Sequence, residues 1–392
     1  MPRRQHVSDG GGRRADTLKG VSTPATASAH RPPCTSGRAR SLLPAPRVLL
    51  SAAVAAATLF ATACMPTEDG PELPGAAGDE REVSFEGAGL TVPGTFTSPA
   101  EGRDGTVPGA LIISGSGPTD RDGNGPERPE ADTTLNLSRV LTGAGVATLR
   151  YDKLGSGDEA DMDESQQAAM EGAVDPLVFD EQMVAAYQEL LSQPEVDPER
   201  TVVLGHSEGA LFALRAHDLL DADPALVLAA PPGTRMLDLI DRQVAEQVRM
   251  GEAQGGLEEA DAVAMLSDSR AARAAIRADE DLPEEDGTGL FSSESEEFLA
   301  WIDDFDPPEL AEGLPGGTPV LVLWGDEDAQ VNRAEVDRLM EGFDGAERVD
   351  LAGVDHVLRE YDDSPGAAAL DADRAFSPEV APAVEDFVDG LW

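Results

Sequence analysis

Thr201-Val202-Val203-Leu204-Gly205-His206-Ser207-Glu208-Gly209 is the stretch on which the fold turns, and it runs straight into Ala210-Leu211-Phe212-Ala213-Leu214-Arg215-Ala216-His217-Asp218-Leu219-Leu220. Residues 201–204 read as a short buried strand, and 210–220 as a helix. Between them stands G-x-S-x-G. The five-residue pattern alone is weak, but a strand before it and a helix behind it give it a mechanical meaning. A serine on so sharp a strand-to-helix turn sits on strained backbone with its hydroxyl projecting from the end of the sheet, and glycines two positions away on either side relieve the crowding. The Glu208 amide, at the start of the helix, is then placed to donate to a developing oxyanion.

Outward from this turn, the pattern of short aliphatic runs separated by longer mixed segments predicts parallel βα units. An opening pair of strands is expected at 83–85 and 90–98. Further strands are expected at 110–114, 146–151, 225–230, 319–324 and 348–352, and helices around 135–144 and 180–192. Hydrophobic residues make up 41% of the chain, enough for a sizeable core, and aromatics only 4%, so aliphatic side chains must fill it.

Two glycine-bearing motifs flank the framework. Gly115-Ser116-Gly117-Pro118-Thr119-Asp120-Arg121-Asp122-Gly123 follows the strand at 110–114, and Arg150-Tyr151-Asp152-Lys153-Leu154-Gly155-Ser156-Gly157 closes the strand at 146–151. With the serine turn, they make the chain from about Glu82 to Trp392 resemble a bacterial serine carboxylesterase of the α/β-hydrolase superfamily, in the branch that carries GSGPxDRDG and RYDKxGxG. Leu154 stands where that branch commonly has arginine, a change that touches substrate detail and leaves the nucleophile alone. The resemblance implies an α/β-hydrolase fold, a mostly parallel sheet flanked by helices with a helical lid insertion. It also implies a catalytic triad that cleaves carboxylic esters through an acyl-enzyme, with no cofactor. A glycine-rich loop lets backbone approach a substrate carbonyl, and Ser116 occupies the position whose amide would be the second oxyanion donor. Asp120, Arg121 and Asp122 are expected to brace that loop through ion pairs, and Lys153 to pair with a neighbouring carboxylate.

Of five histidines, His206, His217 and His356 lie beyond residue 64. His206 is locked beside the serine, with its ring expected to be carried away from the reacting face. His217 reads as a helix-face residue. His356 lies in a loop after a late strand and is the expected general base. The acid should follow the strand at 319–324, in the order serine, acid, histidine. Asp326, Glu327 and Asp328 compete there. Asp326 falls in the turn at Gly325, where a short carboxylate tends to bond its own backbone, and Glu327 has a longer, looser side chain. The G-D-x-D-x-x-V arrangement of the related esterases favours Asp328.

Residues between 231 and 316 are acidic and helical in pattern, without strand signals, and are read as a lid. Leu237, Ile240, Val244 and Val248 recur at helical spacing and are expected to pack rather than to line an acyl pocket. The acidic stretch 278–297 reads as a solvated loop. No clustered histidine or cysteine spacing suggests a metal.

The 75 acidic and 29 basic residues give a formal net charge of −46, which argues against nucleic acid as a partner and for stabilisation by salt. Both cysteines, Cys34 and Cys64, precede the catalytic segment, so it has no disulfide. Residues 48–62 are apolar, follow Arg38, Arg40 and Arg47, and end at Ala61-Thr62-Ala63-Cys64, a signal-peptide pattern too short for a permanent span. The cysteine after the small residues resembles a bacterial lipoprotein signal, although Ala61 replaces the usual leucine. The expected division is a signal region at 1–63, an acidic flexible tether at 64–80 and an α/β-hydrolase catalytic domain at 81–392. The product would be exported as a membrane-anchored lipoprotein acylated at Cys64, or secreted, and would act on a small ester. A thioesterase or aminopeptidase on the same fold, and a non-catalytic ligand-binding lipoprotein, stay open as alternatives.

Overall fold

The protein is described here by a computed structural model, over residues 78–99, 105–126, 128–156, 162–170, 174–283, 288–364 and 370–392. The signal region, Cys64, nearly all of the tether and the acidic residues 284–287 lie outside the described residues.

The chain opens with strands β1 (Asp79–Gly87) and β2 (Leu90–Ser98), an antiparallel hairpin. Ala88 and Gly89 turn it with φ of 55° and 73°, the left-handed pair that matches strand twist in a two-residue loop. Strand β3 (Val107–Ile113), helix α1 (Thr133–Gly143), strand β4 (Ala147–Tyr151), helix α2 (Glu164–Ala169) and helix α3 (Leu177–Ser192) follow. Next come β5 (Val196–His206), the short helices α4 (Gly209–Leu214) and α5 (Ala216–Leu219), and β6 (Ala225–Ala229). Among the described residues, the predicted insertion holds helices α6 (Met236–Ala253), α7 (Glu259–Ala278), α8 (Glu296–Asp303) and α9 (Pro307–Gly313). The chain closes with β7 (Val320–Gly325), α10 (Arg333–Met340), β8 (Glu347–Leu351) and α11 (Val380–Asp389).

Among the described residues, eight strands form one sheet in the order β1-β2-β4-β3-β5-β6-β7-β8. The β1–β2 and β2–β4 pairs are antiparallel, and every pair from β4 to β8 is parallel. The central strands are buried on both faces, which is why they read as continuous aliphatic runs. Leu111, Ile113, Val203, Leu228 and Trp324 face a layer made with α3, α4, α9 and α10. Their alternate neighbours Ile112, Val202, Leu204, Val227 and Leu323 face α1 and α11. This is the α/β-hydrolase architecture, a mostly parallel sheet with helices on both sides.

Three local expectations are revised. The helix expected at 210–220 breaks at Arg215, whose guanidinium turns inward onto buried Asp180 at 2.6 and 2.7 Å and lies over the rings of Phe305 and Trp301. The fifth strand starts at Val196, five residues before the aliphatic run, because Val196 pairs with Val107 ahead of a register shift. In the insertion, Leu237 packs with Ala272, Ile276, Phe291 and Leu299, and Val244 and Val248 with Ala262. The apolar stripe of α6 is therefore buried against its own neighbouring helices. The acidic stretch 278–297 is not wholly a solvated loop, since Phe291 and Ser295 are buried and α8 begins at Glu296.

Candidate active site

Ser207 follows β5, the Gly115–Ser116 peptide follows β3, Asp328 follows β7 and His356 follows β8. Because these strands are parallel, their following loops gather at one edge of the sheet, where open α/β sheets place their ligands. Topology alone thus collects groups that are up to 240 residues apart in the chain, as Ser116 and His356 are.

At the serine turn, the backbone is strained as the motif requires. Ser207 adopts φ 53°, a left-handed conformation unfavourable for a side chain with a Cβ, and its amide donates to the Ala229 carbonyl at 2.8 Å. The flanking glycines are there for contact. A Cβ on Gly205 would lie 2.1 Å from the Gly209 carbonyl oxygen, and one on Gly209 would lie 2.3 Å from that of Ile113. Only hydrogen in those places lets α4 start directly against the ends of β3 and β5. The Ser207 side chain keeps partial exposure, and the Glu208 side chain is buried.

The glycine loop after β3 approaches from the other side. A Cβ built on Gly115 would lie 3.4 Å from the Cβ of Ser207, so the Gly115–Ser116 peptide borders the serine. Among the described residues, neither the Ser116 amide nor the Glu208 amide donates to a protein acceptor. The expected ion pairs form at Arg121 and Asp122, and Asp120 braces the loop through backbone amides instead. Arg121 donates to Asp152 at 3.0 Å and to Glu82 at 2.7 Å, and the Asp120 carboxylate accepts from the amides of Asp122 and Asn124 at 2.9 and 2.8 Å. Burial pushes the Asp152 carboxyl up, against the opposing pull of Arg121. Lys153 pairs with Glu208 at 3.3 Å.

Of the three competing carboxylates, Asp328 alone is buried and reaches the histidine. Its Oδ2 accepts from His356 Nδ1 at 2.7 Å, while Oδ1 accepts from the amides of Gln330 and Val331 at 2.7 and 2.8 Å. An ionised carboxylate only accepts, so His356 Nδ1 carries a proton, and Nε2 is the nitrogen that can accept one when the ring is neutral. Asp326 and Glu327 are exposed. Asp326 does not bond its own turn; its carboxylate accepts from the Gly353 amide at 2.6 Å, tying the β7 loop to the β8 loop.

The His206 ring is buried beneath the histidine loop. Its Nε2 donates to the His356 carbonyl at 2.9 Å, and the two rings lie 5.0 Å apart. Burial, reinforced by the neighbouring His356, pushes the His206 imidazole down to about 3, so it is neutral and serves as a fixed donor. Sequence reading also missed the brace around Asp355. Burial would raise this carboxyl, but Arg374 at 2.8 Å and Arg128 at 3.3 Å hold it below the ordinary range. Asp355 in turn accepts from the amides of Val357 and Arg359, both at 3.1 Å, and so shapes the turn that carries His356. Only the adjacency of Asp355 to His356 could have hinted at this; the two arginines lie far off in sequence. His217 sits on α5, bonded to the Pro224 carbonyl at 3.1 Å, away from these loops.

Residues 132–372 match the sequence profile of the alpha/beta hydrolase family, a stretch that carries Ser207, Asp328 and His356. The chain is 26% identical over 278 residues to Esterase EstD of Thermotoga maritima; the aligned stretch covers 70% of this chain and 60% of that protein, so the match spans well under two thirds of the relative. Among solved structures, Est1E from Butyrivibrio proteoclasticus with bound ferulic acid is similar at a TM-score of 0.48 and 16% identity, covering 79% of this chain and 98% of that one. A DcsB complex with its substrate analogue is similar at a TM-score of 0.49 and 20% identity, covering 80% and 100%. By its sheet and by the family match over most of its length, this chain belongs to the alpha/beta hydrolase family.

Proposed function

We propose that the protein is a serine hydrolase that cleaves small carboxylic esters through an acyl-enzyme, with Ser207 as nucleophile, His356 as general base and Asp328 as the orienting acid. The observation that carries this reading is the buried Asp328–His356 hydrogen bond of 2.7 Å, on loops gathered at the same sheet edge as a left-handed serine. The likeness to an esterase supports the choice of ester over other carbonyl substrates.

In this mechanism His356 Nε2 takes the Ser207 hydroxyl proton as Oγ attacks the substrate carbonyl carbon, and the carbonyl π electrons move to oxygen. The Ser116 and Glu208 amides hold that oxyanion, a contribution of roughly 3 to 4 kcal/mol per donor in comparable sites. Collapse expels the alkoxide, which takes the proton back from His356. Water then attacks the acyl-enzyme by the same route and releases the acid. Asp328 keeps the imidazole in the tautomer that can accept and stabilises the imidazolium. No cofactor takes part.

We further propose that the chain is exported and tethered to the membrane through acylated Cys64. Mass spectrometry of the mature N-terminus tests this part alone: a lipid-modified Cys64 supports it, and an unmodified terminus elsewhere removes it while leaving the hydrolase reading in place. For the enzyme, a panel of nitrophenyl esters of rising chain length, with thioesters and aminoacyl amides alongside, is the test. Ester turnover abolished by Ser207→Ala is the expected outcome. Preferential turnover of thioesters or amides would reassign the substrate class, and a folded protein inert to every acyl donor would overturn the reading.

A further inference from the structure

Lys153 is the one lysine of the described residues and is almost fully buried, with 5% of its side chain exposed. Its ammonium has three protons and finds three acceptors: the carbonyls of Ser114 at 3.0 Å and Gly115 at 2.8 Å, and the Glu208 carboxylate at 3.3 Å. With every donor committed, it is no base or nucleophile. What it touches is informative. The Gly115 carbonyl and the Ser116 amide are the two ends of one planar trans peptide and point in opposite directions. Pinning that oxygen on one side therefore aims the Ser116 N–H to the other. Glu208, the remaining contact, is the residue whose backbone supplies the other oxyanion donor.

On the reading of Ser207 as nucleophile and of the Ser116 and Glu208 amides as oxyanion donors, we propose that Lys153 is the positioning residue of the oxyanion hole. One ammonium, brought in from the end of β4, sets the orientation of the β3 loop peptide and ties it to the start of α4. It also polarises the Gly115–Ser116 peptide, because positive charge on the carbonyl oxygen withdraws electron density from the amide and strengthens its N–H as a donor. The charge is fixed and shielded from water, so it needs no reorganisation when the oxyanion forms.

The role predicts losses confined to the transition state. Lys153→Met alone leaves the Glu208 carboxylate buried without a partner, so the decisive variant is Lys153→Met combined with Glu208→Gln, which removes both charges and keeps the volume. With nitrophenyl butyrate, kcat is expected to fall roughly 10²-fold with KM within about threefold, the size of loss that follows from misaiming a catalytic donor. Affinity for a trifluoromethyl ketone, whose adduct oxygen occupies the oxyanion position, should fall in parallel with kcat. Lys153→Arg, which keeps a cation and donors with altered reach, should recover part of both. Retention of wild-type kcat and ketone affinity in the double variant would overturn the proposal, as would a KM and kcat that worsen equally. If no buried variant folds, Lys153→Arg decides alone: a drop in ketone affinity without a matching rise in KM supports the positioning role, and unchanged affinity overturns it. Inactivity of the wild-type protein would instead strike the underlying serine hydrolase reading.

Discussion

Acid should unfold this protein through His206, and the size of the effect follows from its burial. The ring is buried, donates to the His356 carbonyl, and is pushed down to about 3 in the folded state, against an ordinary imidazole value of 6.5. The unfolded chain therefore binds a proton at this site throughout the interval where the folded chain does not. Because the folded value is depressed, the stabilisation is complete above about pH 6.5 and is lost as pH falls towards 3. The slope approaches about 1.4 kcal/mol per pH unit, and from pH 7 to pH 5 the integrated loss is roughly 2 kcal/mol. The acidic surface acts in the opposite sense, since protonating carboxylates relieves repulsion, so a raw stability curve mixes the two. His206→Gln separates them: its amide can still donate to the His356 carbonyl but does not titrate. Urea unfolding free energies at pH 7, 6 and 5 should show wild type losing roughly 2 kcal/mol more than the variant between the extremes. Parallel curves would mean that the ring is equally protonatable in both states and that His206 does not drive acid unfolding.

Three other outcomes are expected. Asp328→Asn should lower turnover by roughly three to four orders of magnitude with little change in folding, since Oδ1 can still accept from Gln330 and Val331 while an amide facing His356 favours the wrong tautomer; Asp326→Asn and Glu327→Gln should cost far less, and steady-state kinetics on the three variants would move the assignment if either cost more. Gly205→Ala puts a methyl 2.1 Å from the Gly209 carbonyl and should reduce the urea-unfolding free energy by at least about 1 to 3 kcal/mol, whereas wild-type stability would mean that α4 does not start so close to β5. With a net charge of −46, the melting temperature should rise with added sodium chloride, and a flat or falling trend would mean that the carboxylates are too well spaced to repel.

Much of the fold was legible because it is written in local patterns. The strand, serine turn and helix are contiguous, the parallel order follows from alternating runs, and Asp328 was favoured by the G-D-x-D-x-x-V spacing, whereas the turn bond expected of Asp326 is replaced by a bond to the Gly353 amide. What stayed hidden depends on partners distant in sequence. Arg215, where its helix breaks, is bound to Asp180 35 residues upstream and lies over Phe305 90 residues downstream. The destination of His206 is set by a carbonyl 150 residues away, and that of Lys153 by a loop 38 residues before it and a helix start 55 after it. The α6 stripe of Leu237, Val244 and Val248 was readable as buried, but which surface covered it was not, since periodicity fixes a face and leaves its partner open.

Covalent labelling reads out whether Ser207 is a nucleophile activated by His356. Intact-mass and peptide analysis after treatment with an alkyl fluorophosphonate should find one adduct, on Ser207, forming together with loss of nitrophenyl ester turnover. Ser207→Ala should remain folded, stay unlabelled and lose at least about a thousandfold in kcat. A folded wild-type protein that takes no label, or a Ser207→Ala variant with wild-type turnover, would contradict the account.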